Sequence, residues 1–345
     1  MPSIGYLFGR IRSMNTKNMR IAAKRVAKLA HRPSLFILAD MTWCGFRYGA
    51  GYMDYELFHF WEKNGKQRDT YLTRGRNNEY VRALNKRSGW KYFEEKPDFL
   101  ERFSDYCPRE WISLEKVGVA EFKSFGTDLG EFIAKPPNAT HGDGVEKIRA
   151  SEVSDWKALY DRLLESGSTL CEEAIRQHED VNAICPGSVN TVRVVTLTKN
   201  GQAHIVAAYL RVGGGERPVD NFNGGGMVTV VDKETGVILY PAVAKAGVVY
   251  ETHPMTGTKF KGTQLPLWED CREFALRAAL EIPEVKYVGW DIAITPEGPT
   301  FVEGNQYPGH DIYGLEPHSP KGFGVLPDWE KVYTLKELKE IEKAQ

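Results

Sequence analysis

Residues Val288 to Gly314 read VGWDIAITPEGPTFVEGNQYPGHDIYG. Two apolar runs, Trp290 to Ile294 and Thr300 to Val302, flank Pro296-Glu297-Gly298, and a turn carrying both proline and glycine between such runs predicts a hairpin. Side chains alternate faces along a strand, so Glu303 and Asn305 point the same way and the paired strand brings Asp291 opposite them. An isolated ionised carboxylate in a low-dielectric site is costly, and two close together call for a cation between them. All-oxygen ligands favour a hard cation, Mg²⁺ above all where substrate phosphates complete its shell. The plainer alternative is a hairpin whose acids lie at a solvated rim.

A magnesium ion held by few protein oxygens implies a phosphate ligand, and the chain offers partners for one. Lys135 ends the apolar run EFIAK and precedes the loop PNATHGDG, where the amides of Gly142 and Gly144 can approach phosphate oxygens. Glu172 and Glu173, followed by Ala174 and Ile175, read as a strand edge whose backbone groups suit an adenine ring. Glu179 is placed to accept ribose hydroxyls. Each of these is also readable as an ordinary surface charge.

The rest of the 345 residues sets limits. Apolar residues make up 42% and charged residues 26%, the balance of a globular chain with real cores. Net charge is -1, so whole-molecule electrostatics give no argument for nucleic acid. No run approaches the roughly 18 apolar residues of a membrane span, and the N-terminus shows no apolar signal core. Five cysteines without CxxC spacing exclude a disulfide framework or zinc site and point to a reducing cytoplasm.

Charge is uneven, however. Residues 1–39 hold eight Lys or Arg and no acid. Within KNMRIAAKRVAKLA, from Lys17, a helix would gather Ile21, Ala22, Val26 and Leu29 on one face. That helix is expected to cover part of the fold with its basic side solvated; the alternative is peripheral attachment to an anionic membrane.

Four segments are expected: a helical, aromatic-rich leader over 1–84, a small lobe over 85–170, a large lobe over 171–330 and a charged helix over 331–345. Ser154 is expected to open a helix that Gly167 closes. NTVRVVTLTKNGQAHIVAAYLRV reads as two strands joined by Asn200-Gly201, a strong hairpin signal. Thr334 with Glu337 resembles a capping box. Hairpin-paired strands interleaved with helices predict an α+β architecture with antiparallel sheets.

In order, Lys86 in LNKRSGW, Lys135 in FIAKP, Glu172-Glu173-Ala174-Ile175, Glu179, Asp291 and Glu303-Gly304-Asn305 resemble the ATP-grasp superfamily, which includes D-alanine–D-alanine ligase. More narrowly, SVNTVRVVTL, VDNFNGGG, HPMTGTKFKG and GWDIAITPEGPTFVEGNQYPGHDIY resemble its sugar-transfer-associated members, over roughly residues 35 to 320.

The resemblance implies two α+β lobes clamping ATP. Lys86 and Lys135 would contact its phosphates. The backbone at Glu173 and Ile175 would hold adenine with Glu172 nearby, and Glu179 the ribose. Asp291, Glu303 and Asn305 would ligate Mg²⁺. Two departures stand out. The loop ATHGDGV is poor in glycine, and Gly289 occupies the place, two before the metal aspartate, where the superfamily's ligases often carry arginine. Arg193 and Arg211 are the nominated substitutes for holding a reacting carboxylate.

Asn221 and Asn223, in the Gly-rich stretch, and His310 are expected to contact substrate. His253 either lines the substrate end or caps a turn. The activity implied is ADP-forming ligation of a carboxylate to an amine, on a glycan or glycan precursor in polysaccharide biosynthesis. The rivals are a phosphotransferase on the same fold and a non-catalytic nucleotide-binding regulator of a glycosyltransferase.

Overall fold

A computed structural model describes residues 16–138, 144–214, 222, 225–245, 247–319 and 321–345. It divides into two compact units, Met1–Leu84 with Gly309–Gln345, and Asn85–Pro308.

The first unit is helical. Helices α1 (Thr16–Leu29), α2 (Ser34–Tyr48) and α3 (Arg74–Leu84) accompany a final helix, Leu335–Ala344. Its core joins Met19, Ala22, Ala23 and Val26 of α1 to Ile37, Met41 and Cys44 of α2, over Tyr55, Phe58, Phe60 and Tyr71. The buried face of α1 therefore differs from the expected one: Ala22 and Val26 are on it, but Ile21 and Leu29 are exposed. Met19 and Ala23 take their places, because alanine lets the two helices approach closely. The Thr334 hydroxyl accepts the Glu337 amide while the Glu337 carboxylate accepts the Thr334 amide, closing the capping box.

The second unit is built on two antiparallel sheets. The smaller has strands β1 (Trp111–Ser113), β2 (Glu131–Lys135), β3 (Glu146–Arg149) and β4 (Leu170–Glu173), in spatial order β1-β4-β2-β3. Helices α4 (Val119–Leu129) and α5 (Trp156–Ser166) cover it, with Phe122, Phe125, Phe132 and Leu163 between the layers. Asp155, one residue later than expected, caps α5: its carboxylate accepts the Lys157 and Ala158 amides, and Gly167 closes the helix in a left-handed conformation.

The larger sheet uses β5 (Thr191–Lys199), β6 (Gln202–Val212), β7 (Met227–Val231), β8 (Ala242–Ala244), β9 (Val249–Tyr250), β10 (Tyr287–Thr295) and β11 (Gly298–Asn305). Their order is β11-β10-β5-β6-β7-β8-β9. Asn200 and Gly201 both take positive φ, the two-residue turn that matches strand twist. Helix α6 (Trp268–Ala278) packs Cys271, Phe274 and Ala275 on this sheet. Trp290 stacks on Phe301, ring centroids 4.7 Å apart, and Phe103 meets both. The fold class is thus α+β with antiparallel sheets behind a helical N-terminal region.

The expected strand edge at Glu172 and Glu173 is not open. β4 is interior, flanked by β1 and β2, and the Glu173 amide donates to the Glu110 carbonyl. The chain leaves the sheet only at Ala174. All five cysteines are buried and free of disulfide bonds.

Candidate functional site

The β10–β11 hairpin pairs Asp291 directly with Glu303, and β10 pairs Asp291 with Arg193 of β5. Directly opposed residues share a face, so Glu303, Asp291 and Arg193 form one row across three strands. Arg193 in turn opposes Tyr209 of β6, and Arg211, two residues on, returns to that same face.

Arg193, Arg211 and Asp291 are buried, and Glu303 is half-buried. Arg193 grips Asp291 through two nitrogens, with Nη2 2.8 Å from Oδ2, and Arg211 Nη1 lies 2.7 Å from the same oxygen. Burial would push the Asp291 carboxyl up, but the two guanidiniums hold it well below the usual carboxylate range. Glu303 moves the other way: burial first, then the Asp291 charge, raise it. Asn305 donates Nδ2 to Glu303 Oε1 at 3.3 Å. Between them, Gly304 leaves no room for a side chain, since an added Cβ would stand 2.7 Å from Phe99 and 3.0 Å from Phe93. The motif thus turns two polar groups to one face and sits flat on aromatic rings with the other.

This donor set fits a magnesium ion. One carboxylate is held ionised, a second is kept from ionising by burial and by the Asp291 charge, which a cation would offset, and Asn305 adds an amide oxygen. Asp291 Oδ1 accepts the Arg193 Nε hydrogen, and the Asp291 and Glu303 carboxyls are themselves hydrogen-bond partners. A cation here would share Asp291 with the arginines.

A second charged cluster lies on the small sheet. Glu172 is buried between Lys135, whose Nζ is 2.5 Å from Oε1, and Arg109, whose Nε is 2.7 Å from Oε2. Burial opposes ionisation of Glu172, but Lys135 and Arg109 hold its pKa down to about 2. Arg109 also donates Nη1 to the Phe301 carbonyl on β11, tying this cluster to the metal-candidate hairpin.

Lys96 joins the two clusters electrostatically. Burial lowers its pKa, the Lys135 charge lowers it further, and Glu303 and Glu172 pull it back up. Its backbone amide and its ammonium group both reach the Pro137 carbonyl, at 3.0 and 3.5 Å, beside the loop after Lys135.

The other nominated residues are more dispersed. Lys86 is exposed, its amide bonded to the Glu284 carbonyl. Gly144 lies just before β3, with its carbonyl 3.4 Å from Ser168 Oγ. Glu173 and Ile175 are half-buried at and after the end of β4, while Glu179 is exposed at the start of a short helix, Glu179–Asn182. His178, before it, donates its amide to Ile294 of β10. Gly142, Asn221 and Asn223 lie outside the described residues.

His253 is buried and caps a turn: Nδ1 accepts the Met255 amide and Nε2 lies 3.0 Å from the Gly213 carbonyl. His310 belongs to the helical unit, where Nε2 lies 2.7 Å from Asp54 Oδ1. Sequence reasoning missed Arg109 and Lys96. Neither sits in a motif: Lys96 stands in EEKPD, which reads as a solvated charge run, and the partners of Arg109 are far along the chain.

Among solved structures, D-alanyl-alanine synthetase A from Vibrio cholerae O1 biovar eltor is similar at 11% identity, over 74% of this chain and 66% of that one, with TM-score 0.42. D-alanine–D-alanine ligase from Bacillus anthracis is similar at 13% identity, over 74% and 70%, with TM-score 0.41. The ATP-grasp ligase PsnB, complexed with a precursor variant, Mg and ADP, is similar at 13% identity over 76% and 61%, with TM-score 0.40. This chain spans less than two thirds of the length of PsnB and of the Vibrio protein. No curated protein matches it in sequence. A family profile described as sugar-transfer associated ATP-grasp matches residues 75–315. That match takes in both charged clusters and well over half of the sequence, and on it the chain belongs to the sugar-transfer associated ATP-grasp family.

Proposed function

We propose that this protein is an ATP-dependent, ADP-forming carboxylate–amine ligase that modifies a glycan or glycan precursor. The observation that carries the reading is the row Glu303–Asp291–Arg193 with Arg211 beside it, two carboxylates and two guanidiniums on one sheet face. Phosphoryl transfer asks little covalent help of side chains, so positioning and charge neutralisation are what a site must supply.

In this reading Lys135 and Lys96 hold ATP phosphates, with Lys86 and the amide of Gly144 at the periphery. The backbone after β4, at Glu173 and Ile175, holds adenine beside Glu172, and Glu179 takes the ribose. Asp291, Glu303 and Asn305 hold Mg²⁺, which supplies neutralisation of the β- and γ-phosphate charge. A substrate carboxylate oxygen bonds to the γ-phosphorus as the bond to the ADP oxygen breaks, giving an acylphosphate. The amine then bonds to the acyl carbon, loses a proton and expels inorganic phosphate. Arg193 and Arg211 carry the negative charge of the carboxylate and of the tetrahedral oxyanion. The family's association with sugar transfer supports the glycan; a cytoplasmic location follows from where ATP and such precursors occur.

The test follows ADP release with MgATP and panels of sugar acids and amines. A need for both co-substrates supports ligation. Release with a hydroxyl acceptor and no amine identifies a phosphotransferase, and ATP binding without any turnover identifies a regulator.

A further inference from the structure

Helix α2 reads SLFILADMTWCGFRY and is apolar almost all round. Its inner arc, Ile37, Met41, Cys44 and Tyr48, is buried in the helical core. The opposite arc holds Leu35, Phe36, Ala39, Trp43 and Phe46, and nothing among the described residues covers it: Leu35 is 77% exposed, Trp43 58% and Phe36 52%. A helix apolar on two sides is one whose second side has a partner. The lone acid of the helix, Asp40, is turned aside and held by Arg68 and by the Tyr55 hydroxyl.

Cations surround this stripe. The turn from α1 exposes Lys28, Leu29, His31 and Arg32 immediately before Leu35 and Phe36, and the Arg32 guanidinium lies 5.5 Å from the Phe36 ring centroid. Arg47, in the last turn of the helix, pairs with Asp69, Nη2 3.5 Å from Oδ2. From residue 16 to residue 39 the chain carries six Lys or Arg and no acid.

We propose that the tip of the α1–α2 hairpin and the outer arc of α2 seat this protein on an anionic lipid bilayer. Leu29, Leu35, Phe36, Trp43 and Phe46 enter the boundary between head groups and acyl chains, and Lys28 and Arg32 meet lipid phosphates. Aromatic and leucine side chains bordered by lysine and arginine are the composition that interfacial helices use. The charge favours a bilayer over a second copy of this chain as the occupant, because the cations Lys28 and Arg32 at the end of the stripe call for anions and the stripe of a second copy offers no free acid to meet them. The seat lies on the membrane and does not span it: no described helix is long and apolar enough to cross. The inference is independent of the reaction, and it moves membrane contact from α1, whose lysines remain as a long-range field, to α2.

The full chain is floated with phosphatidylcholine vesicles, with and without phosphatidylglycerol, at low and high salt. Binding is expected only to the anionic vesicles, weakened by salt, with a blue shift of tryptophan emission. Leu35→Glu with Trp43→Glu is expected to abolish binding while leaving the circular dichroism spectrum and melting temperature unchanged. Lys28→Glu with Arg32→Glu is expected to weaken it by about tenfold or more. Absence of wild-type binding to anionic vesicles overturns the proposal, as does undiminished binding by the first double variant. A dimer seen by sedimentation that this variant abolishes, with no vesicle binding, assigns the face to a second copy instead.

Discussion

Arg193 lies across Gly289. A methyl group added at Gly289 would stand 3.1 Å from Arg193 Cδ and 3.3 Å from Pro308 Cβ. The side chain that the superfamily's ligases often carry at this place is missing, and the space is filled from the neighbouring strand. Gly289→Ala is therefore expected to displace the guanidinium from Asp291. Overpacking of this kind costs about 1–3 kcal/mol, which urea unfolding will read, and ADP release should fall with it. Unchanged stability and turnover would show that Arg193 is not held by this contact.

Glu303→Gln keeps shape and removes one charge beside Asp291. Loss of a preorganised electrostatic group lowers turnover by about 100-fold or more, so Mg²⁺-dependent ADP formation should nearly vanish while the melting temperature holds or rises. The rise follows from the raised pKa of Glu303, since a group that resists ionisation in the fold is better replaced by a neutral amide. Wild-type rates would remove Glu303 from the site.

Lys96→Gln separates binding from structure. Burial and Lys135 disfavour its charge in the resting protein, so its loss should not destabilise the fold. A charged hydrogen bond to phosphate is worth about 1.5–3 kcal/mol, and KM for ATP is expected to rise about tenfold or more with kcat less affected. A variant that loses stability but keeps its KM would mark Lys96 as structural.

Glu172 ties stability to pH. Its pKa falls from an ordinary 4.5 to about 2 in the fold, so its contribution is complete above 4.5 and is lost as pH drops towards 2. Arg109→Ala leaves Glu172 with Lys135 at Oε1 but removes its ionic partner at Oε2, and breaking a buried pair costs about 3–5 kcal/mol. Urea titrations across the acid range should show the variant already weakened at neutral pH and with a shallower acid decline. Equal stability of the two proteins would make the Arg109–Glu172 pair energetically idle.

The hairpins, the antiparallel sheets and the final helix are legible in the sequence because each rests on local signals. Asn200-Gly201 fixes the register of β5 and β6, and alternation fixes which face Glu303 shares with Asn305. What was not legible depends on tertiary partners. Ile21 and Leu29 fit a helical stripe as well as Met19 and Ala23 do, and only packing against α2 selects the latter pair. Glu172 reads as a surface acid until Arg109, 63 residues earlier, is brought beside it. The outer arc of α2 is hidden for the same reason: its aromatic residues look like core until the core is seen to need only Ile37, Met41, Cys44 and Tyr48.

The ends of the metal-candidate hairpin depend on one amide side chain. The Asn85 side chain donates to the carbonyls of Tyr287 and Gln306 and accepts the Tyr287 amide, clasping the open ends of β10 and β11 together. Both hydrogens of its amide nitrogen are spent on carbonyls. Substitution by aspartate, an isosteric change, would set an anion against those two oxygens and turn the clasp into a wedge. An Asn85→Asp variant should then lose its grip on the hairpin through a single substituted atom.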